Sequence, residues 1–337
     1  MRTLFIRRLG PVVALCAITA STITAYPSAH AQSQTYPKGT VRLIAPYGPG
    51  GMVDVLGRAI TQRISEVTGH PYVVENRAGG SGLPAVQQLL NSPADGHTLM
   101  LSDIQQLAIN PFLLDHLPYD PIKDLAPVSL IGSAPLYLVV QSALNINTLD
   151  ELIAAAKAAP GKFNYGSSGN GSIHHISMEA IKASLGLNIT HIPYRGAAQT
   201  ATGIMTGEIS MMLSAYNNVT PLVESGKGKI LALTTAKRST QEPNVPSVSE
   251  RIPDYDFSTK VGIVARAGTP PEIVAIASKQ ITDALRYAQT DPRLANVFRG
   301  VDFSIVGSTP ESYAKDIKSD YDRFEKAVKI SGAKDGR

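Results

Sequence analysis

Two glycine-rich turns, each set directly ahead of a helix pattern, are the parts of this sequence best equipped for chemistry. The first runs Tyr47, Gly48, Pro49, Gly50, Gly51 and continues into Met52, Val53 and Asp54; the second runs Gly166, Ser167, Ser168, Gly169, Asn170, Gly171 and continues into Ser172 and His174. A glycine turn leading into a helix presents main-chain N–H groups and the positive end of the helix dipole, and together these hold an anion. Asp54, in the first turn of its helix, stabilises that dipole; the same carboxylate can orient the loop or accept from a polar group or water on a ligand. His174, beside the second turn, reads as a hydrogen-bonding cleft wall or a solvated residue. Arg195 can pair with a carboxylate or brace the turn into Gly196, and Asp103 and Gln105 fall where a strand's end meets a loop and can border a cleft.

Other chemistries lack their residues. No Gly-x-Ser-x-Gly occurs, so a nucleophile elbow is absent. The first turn lacks the third glycine of a dinucleotide fingerprint, and no lysine follows either turn as in a phosphate-binding loop. His174 and His175 are adjacent and point about 100° apart on a helix, so they cannot share a metal as an i,i+4 pair does. The single cysteine, Cys16, lies in the first 31 residues. Thiol catalysis, cysteine-based zinc and disulfides are therefore not expected beyond them, and neither is a cofactor or metal.

The elements that position the turns follow from periodicity. Residues 40–46 are β-branched and apolar, and Val53, Leu56, Ile60, Ile64 and Val67 then recur at helical spacing until Gly69. A strand at 72–75 leads to a glycine-rich stretch, a helix through Val86 and Leu89, and a strand at 98–101. Residues 110–127 read as a surface loop before a strand at 128–131. A strand at 136–140 and a helix opened by the capping box of Thr148 and Glu151 follow. The second turn then sits between a short strand at 163–165 and a helix capped by Ser172, with Ile173, Ile176, Ala180 and Ile181 on one face. Strands at 189–194, 209–213 and 229–235 alternate with helices, with a polar turn at Tyr216, Asn217 and Asn218. Such alternation predicts an α/β fold with parallel-type sheets covered on both faces and ligands at the strands' carboxyl ends. Two further helices, after Pro271 and Glu311, read as structural.

Composition agrees. The 337 residues are 43% hydrophobic and 17% charged, with 28 Gly and 23 Pro, which excludes a disordered, fibrous or disulfide-framework chain. The formal charge is +4, but Arg2, Arg7 and Arg8 lie in the acid-free first 31 residues; the remainder has 28 basic residues against 27 acidic, or +1. With 6% aromatics and no basic run, nucleic-acid binding is not expected. Residues 1–31 read as a secretory signal: Arg7 and Arg8, an apolar stretch to about Ile23, and Ala29, His30, Ala31 as the cleavage site. The product is expected outside the cytoplasm.

The ordered motifs match a known pattern. Tyr36 and Pro37; Pro49, Gly50, Gly51 with Asp54 and Arg58; Val74, Glu75, Asn76, Arg77 before Gly79 and Gly80; Asn110 and Pro111; residues 164–171 with His174; and Pro193, Tyr194, Arg195, Gly196 stand in order along nearly the whole chain. On these the sequence resembles the Bug, or TctC-like, family of extracytoplasmic tricarboxylate-transporter receptors. The resemblance implies a two-lobed type II periplasmic-binding-protein fold with a cleft between two α/β domains, closing on a small carboxylate without chemistry. It implies lobe 1 from residues 32–133 and 260–337, lobe 2 from 134–259, and a membrane permease or sensor as partner; the chain is expected to act as a monomer. Carried over by motif, the ligand positions are Gly50 to Asp54 and Ser168 to Ser172. Met52 and Val53 stand where small or hydroxyl residues are common, and Ser214 and Ala215, followed by Tyr216 and Asn217, replace a frequent Asp-Asn pair. These departures favour a ligand with an apolar or aromatic body and carboxylate ends over an amino acid or citrate. An exported α/β hydrolase and a ligand-sensing subunit are the alternatives.

Overall fold

The computed structural model describes residues 36–334; the expected leader, with its cleavage point after Ala31, lies outside the described residues. Strand β1 (Val41–Ala45) delivers the chain to the first glycine turn, and α1 (Met52–Thr68) starts at once behind it. Val53, Leu56, Ile60 and Ile64 form the buried stripe of α1, and Gly69, left-handed at φ 71°, ends it. β2 (Tyr72–Asn76), α2 (Leu83–Leu90) and β3 (Thr98–Asp103) complete two parallel strand–helix units. A π-helical turn at Gln105–Ile109 and the short α3 (Asn110–Leu113) follow, then the long β4 (Leu125–Ala134).

The chain next enters a second sheet with β5 (Tyr137–Gln141), α4 (Leu149–Ala158), β6 (Asn164–Ser167), α5 (Ile173–Leu185), β7 (Thr190–Pro193), α6 (Ala197–Thr206), β8 (Met211–Ser214), α7 (Tyr216–Glu224) and β9 (Gly228–Leu233). It returns through β10 (Thr259–Arg266) and closes with α8 (Pro271–Thr290), α9 (Pro292–Arg299), β11 (Ser304–Ile305) and α10 (Pro310–Ser331). The first sheet is ordered β11-β4-β10-β3-β1-β2 and the second β7-β6-β8-β5-β9.

Three expectations change. The sheets are mixed: β10 is antiparallel to both β3 and β4, and β5 to both β8 and β9. A strand that re-enters a sheet from elsewhere has its direction set by where the chain comes from, which local alternation does not encode. The surface loop at 110–127 opens with α3 and ends inside β4, where Pro127 is tolerated because the ladder with β10 shifts register between Ile263 and Val264, opposite that proline. The polar turn at Tyr216, Asn217 and Asn218 is the first turn of α7.

Apolar burial along α10 ties the two sheets together. Tyr313 and Ile317 of α10 pack with Ile44, Met100 and Val264 of the first sheet. Farther along the same helix, Phe324, Ala327 and Val328 join Leu138, Ile176, Ile181 and Met211 around the second. Between those stretches Asp320 accepts from Lys260 at 2.8 Å and from Arg323 at 3.0 Å. Burial pushes this carboxyl up, and the two cations pull against it.

Candidate functional site

Four helices begin at one cavity. It encloses about 580 Å³ and is lined by Gly51 and Met52 at the start of α1, Ser172, Ile173 and His174 at the start of α5, Ala197 at the start of α6, and Ala215, Asn217 and Asn218 at the start of α7. Each helix has at least 9 residues. First-turn N–H groups have no carbonyl partner within their own helix, so four positive dipole ends face the enclosed volume. Among the described lining residues there is no Lys or Arg. The groups that these helix starts offer to an anion are main-chain donors, from α6 and α7 as well as from the two helices behind the glycine turns.

On the first lobe the glycine loop is held from behind. Asp54 is 2% exposed and does not line the cavity. Its carboxylate accepts from the Gly50 N–H at 2.9 Å, from Arg58 Nε at 3.0 Å and from Asn76 Nδ2 at 2.8 Å. Asn76 also donates to the Tyr47 carbonyl at 3.0 Å, so one acid and one amide fix both ends of the turn. Burial alone raises the Asp54 carboxyl, but the donors from Arg58, Gly50 and Asn76 outweigh it and hold the group below its usual value. Of the two roles Asp54 can play, the geometry gives it loop orientation. Val53 faces the core at 5% exposure, and Pro49 and Gly50 are exposed and do not line the cavity, leaving Tyr47, Gly51 and Met52 as the part of this loop that borders it.

Asp103, at the carboxyl end of β3, and Gln105 both border the cavity. Asp103 accepts the Tyr47 hydroxyl at 2.6 Å and the Gln105 N–H at 2.8 Å. Burial raises this carboxyl, while Tyr47 and the main-chain donors act to lower it. Tyr47, Ser81 and Leu113 also line the cavity without having been singled out. Ser81 was detectable in principle: it sits among Gly79, Gly80 and Gly82 and takes φ 56° itself. Leu113 arrives through α3, within the stretch read as loop.

On the second lobe, Ser168, Asn170, Gly171 and Ser172 line the same cavity. Gly169 shapes the loop, its carbonyl accepting from the Ser172 hydroxyl at 2.7 Å. Ser172 caps α5 by accepting from the His175 N–H at 3.3 Å. His174 Nδ1 and the Ser168 hydroxyl lie 2.7 Å apart. Behind the loop, the rings of His175 and His191 stack at 4.0 Å, with Tyr165 beyond. His175 Nδ1 accepts the Gly171 N–H at 3.1 Å, and His191 Nε2 and Ser167 Oγ lie 2.7 Å apart. Desolvation takes His174 down to about 4 and His191 down to about 4, so the loop rests on neutral imidazoles.

Arg195 is exposed and does not line the cavity; its main-chain N–H donates to Gln199 Oε1 at 3.1 Å. Gly196 caps α6. The Tyr216 ring turns from the cavity to pack on Tyr137, 5.4 Å between centroids, and its hydroxyl donates to Glu242 at 3.1 Å. Among the described residues no group of three His, Cys, Asp or Glu gathers as a metal site, and no helix is long and apolar enough to cross a membrane.

Comparison with known proteins identifies the family and the architecture. A sequence model of the tripartite tricarboxylate transporter family receptor matches residues 56–332. Protein BugT of Bordetella pertussis is 32% identical over 313 residues, 92% of this chain and 95% of that one. The R. palustris protein Rpa4515, solved with adipate, superposes with a TM-score of 0.76 at 30% identity over 88% of this chain and 98% of its own. A TctC solute-binding protein from Polaromonas gives 0.76 at 27% identity, covering 88% and 99%. The two-lobed α/β architecture is that of periplasmic binding proteins, and the chain belongs to the tripartite tricarboxylate transporter receptor family.

Proposed function

We propose that the chain captures a small carboxylate with an apolar body in the cavity between its lobes, leaves it chemically unchanged, and delivers it from the periplasm to a membrane permease. The observation that carries this reading is the convergence of four helix starts on one volume with no Lys or Arg among the described residues that line it. Fixed main-chain dipoles at the wall of a cleft satisfy a carboxylate and require no counter-ion. The apolar share of the lining, including Met52, Ile104, Leu136 and Ile173, supports a hydrocarbon or aromatic body. The adipate in Rpa4515, a 30% identical relative, supports the same ligand class.

The proposed ligand contacts are Gly51, Met52, Asp103, Gln105, the lining part of the 168–174 segment, Ala215 and Asn217. Pro49, Gly50, Val53, Asp54, Gly169, Arg195, Gly196 and Tyr216 are proposed as supports that shape or brace them. The lobes exchange at about residue 133 and again at about 260, where β4 passes to β5 and the chain re-enters β10, and closing about these strands brings both halves of the lining onto one ligand. The receptor works as a monomer.

Mass spectrometry of acid-released small molecules from the purified protein, followed by a thermal-shift panel, tests this. A true ligand at 100 times its dissociation constant stabilises the native state by about 2.7 kcal/mol. A panel of carboxylates that leaves the melting temperature unmoved, or a product chemically altered by the protein, contradicts the proposal.

A further inference from the structure

The two walls of the cavity differ in charge. Three of the four helix starts, those of α5, α6 and α7, belong to the second lobe; the first lobe contributes the start of α1 together with Asp103. Among the described lining residues Asp103 is the only acid, and no Lys or Arg faces it there. It is 9% exposed, and its carboxylate accepts from the Tyr47 hydroxyl, the Gln105 N–H and the Gln106 N–H. A carboxylate offers about four acceptor sites, so acceptor capacity remains toward the cavity.

We propose that Asp103 sets ligand polarity: the ligand's carboxylate goes to the helix starts of the second lobe, and the end facing the first lobe carries a hydrogen-bond donor, a hydroxyl or an ammonium, in place of a second carboxylate. The inference rests on the carboxylate reading of the cavity and narrows it. A second carboxylate pressed against the nearly buried Asp103 meets like charge, whereas a donor adds to the acid's hydrogen bonding. Rejection of a wrong group by an unpaired or repelled partner discriminates more sharply than an added apolar contact. The expectation of carboxylates at both ends, drawn from the departures at Met52 and at Ser214 and Ala215, did not include this acid.

Four probes of one chain length test it by calorimetric titration near pH 8: hexanoate, adipate, ω-hydroxyhexanoate and ω-aminohexanoate. At least one donor-bearing probe is expected to bind about tenfold tighter than both adipate and hexanoate. In Asp103→Asn, which keeps an oxygen to accept the Gln105 N–H, the ratio of donor probe to adipate is expected to fall by about tenfold or more. Adipate binding as tightly as the donor probes in the unaltered protein overturns the inference and leaves the carboxylate reading standing. An unchanged order in Asp103→Asn overturns it too, because a purely capping aspartate predicts that result. If none of the four binds, the carboxylate reading falls and this inference with it. Should Asp103→Asn fail to fold, the order in the unaltered protein decides.

Discussion

Gly171→Ala attacks the place where the two walls touch. Gly171, in the second-lobe loop, is left-handed at φ 69°, and a Cβ added there would stand 2.3 Å from Leu113 Cδ2 and 2.7 Å from its Cδ1. Leu113 comes from α3, between β3 and β4 of the first sheet, and is 6% exposed, so it has little room to turn aside. The left-handed backbone costs a non-glycine residue about 1–2 kcal/mol, and overpacking adds about 1–3 kcal/mol. Only the second part depends on Leu113. In a double-mutant cycle, Leu113→Ala should therefore recover about 1–3 kcal/mol of the Gly171→Ala loss while the backbone part persists. The same crowding should weaken ligand binding about 5- to 150-fold in the single variant. Urea unfolding of the four proteins, with calorimetric titration of the ligand, measures both. Free energies that add within about 0.5 kcal/mol would refute the contact and the reasoning built on it.

Acid should loosen the second-lobe loop. His174 and His191 titrate at about 4 when folded, against the ordinary 6.5, so the unfolded chain binds more protons in between, and stability is lost as pH falls through that window; a urea midpoint flat from neutral pH to about 4.5 contradicts this. Asp54→Ala removes the acceptor of the Gly50 N–H and the carboxylate partner of Arg58, leaves Asn76 Nδ2 only the Tyr47 carbonyl, and should cost about 3 kcal/mol with weakened ligand binding, whereas Asp54→Asn, which keeps one acceptor, should cost less; equal losses in chemical denaturation count against the bracing role. Tyr137→Phe removes the hydroxyl donor to Asp302, a carboxyl raised by burial and left with Ser239 alone, and should cost about 1–2 kcal/mol of stability; no change in the unfolding midpoint would show that bond to be unimportant.

Where the sequence was informative, the signal was local. The turn before α1 and the Ser172 cap of α5 are short-range patterns in which glycine, a capping residue and a helical stripe follow one another, and each forms at its place in the chain. Pairing across the fold left no such trace. The antiparallel return of β10 depends on contacts with β3 and β4 more than a hundred residues away. Asp54 was visible as a first-turn acid, but its partner Asn76 lies on β2, so its commitment to the loop became apparent only with the fold. Tyr47 was read as part of a strand-breaking turn; its link to Asp103 needed β1 and β3 to be neighbours. Ala197 and Leu113 carry no chemical signature of a site, because one contributes the position of a helix start and the other a shape.

A crystal structure of the protein with its co-purified ligand tests the central claim most directly. The account predicts a carboxylate whose oxygens lie about 2.7–2.9 Å from main-chain nitrogens at the starts of α5, α6 or α7, with no Lys or Arg side chain touching it and with Gly51 or Met52 against the same molecule. A ligand seated on Arg195, or held by one lobe alone with the other wall untouched, would contradict it.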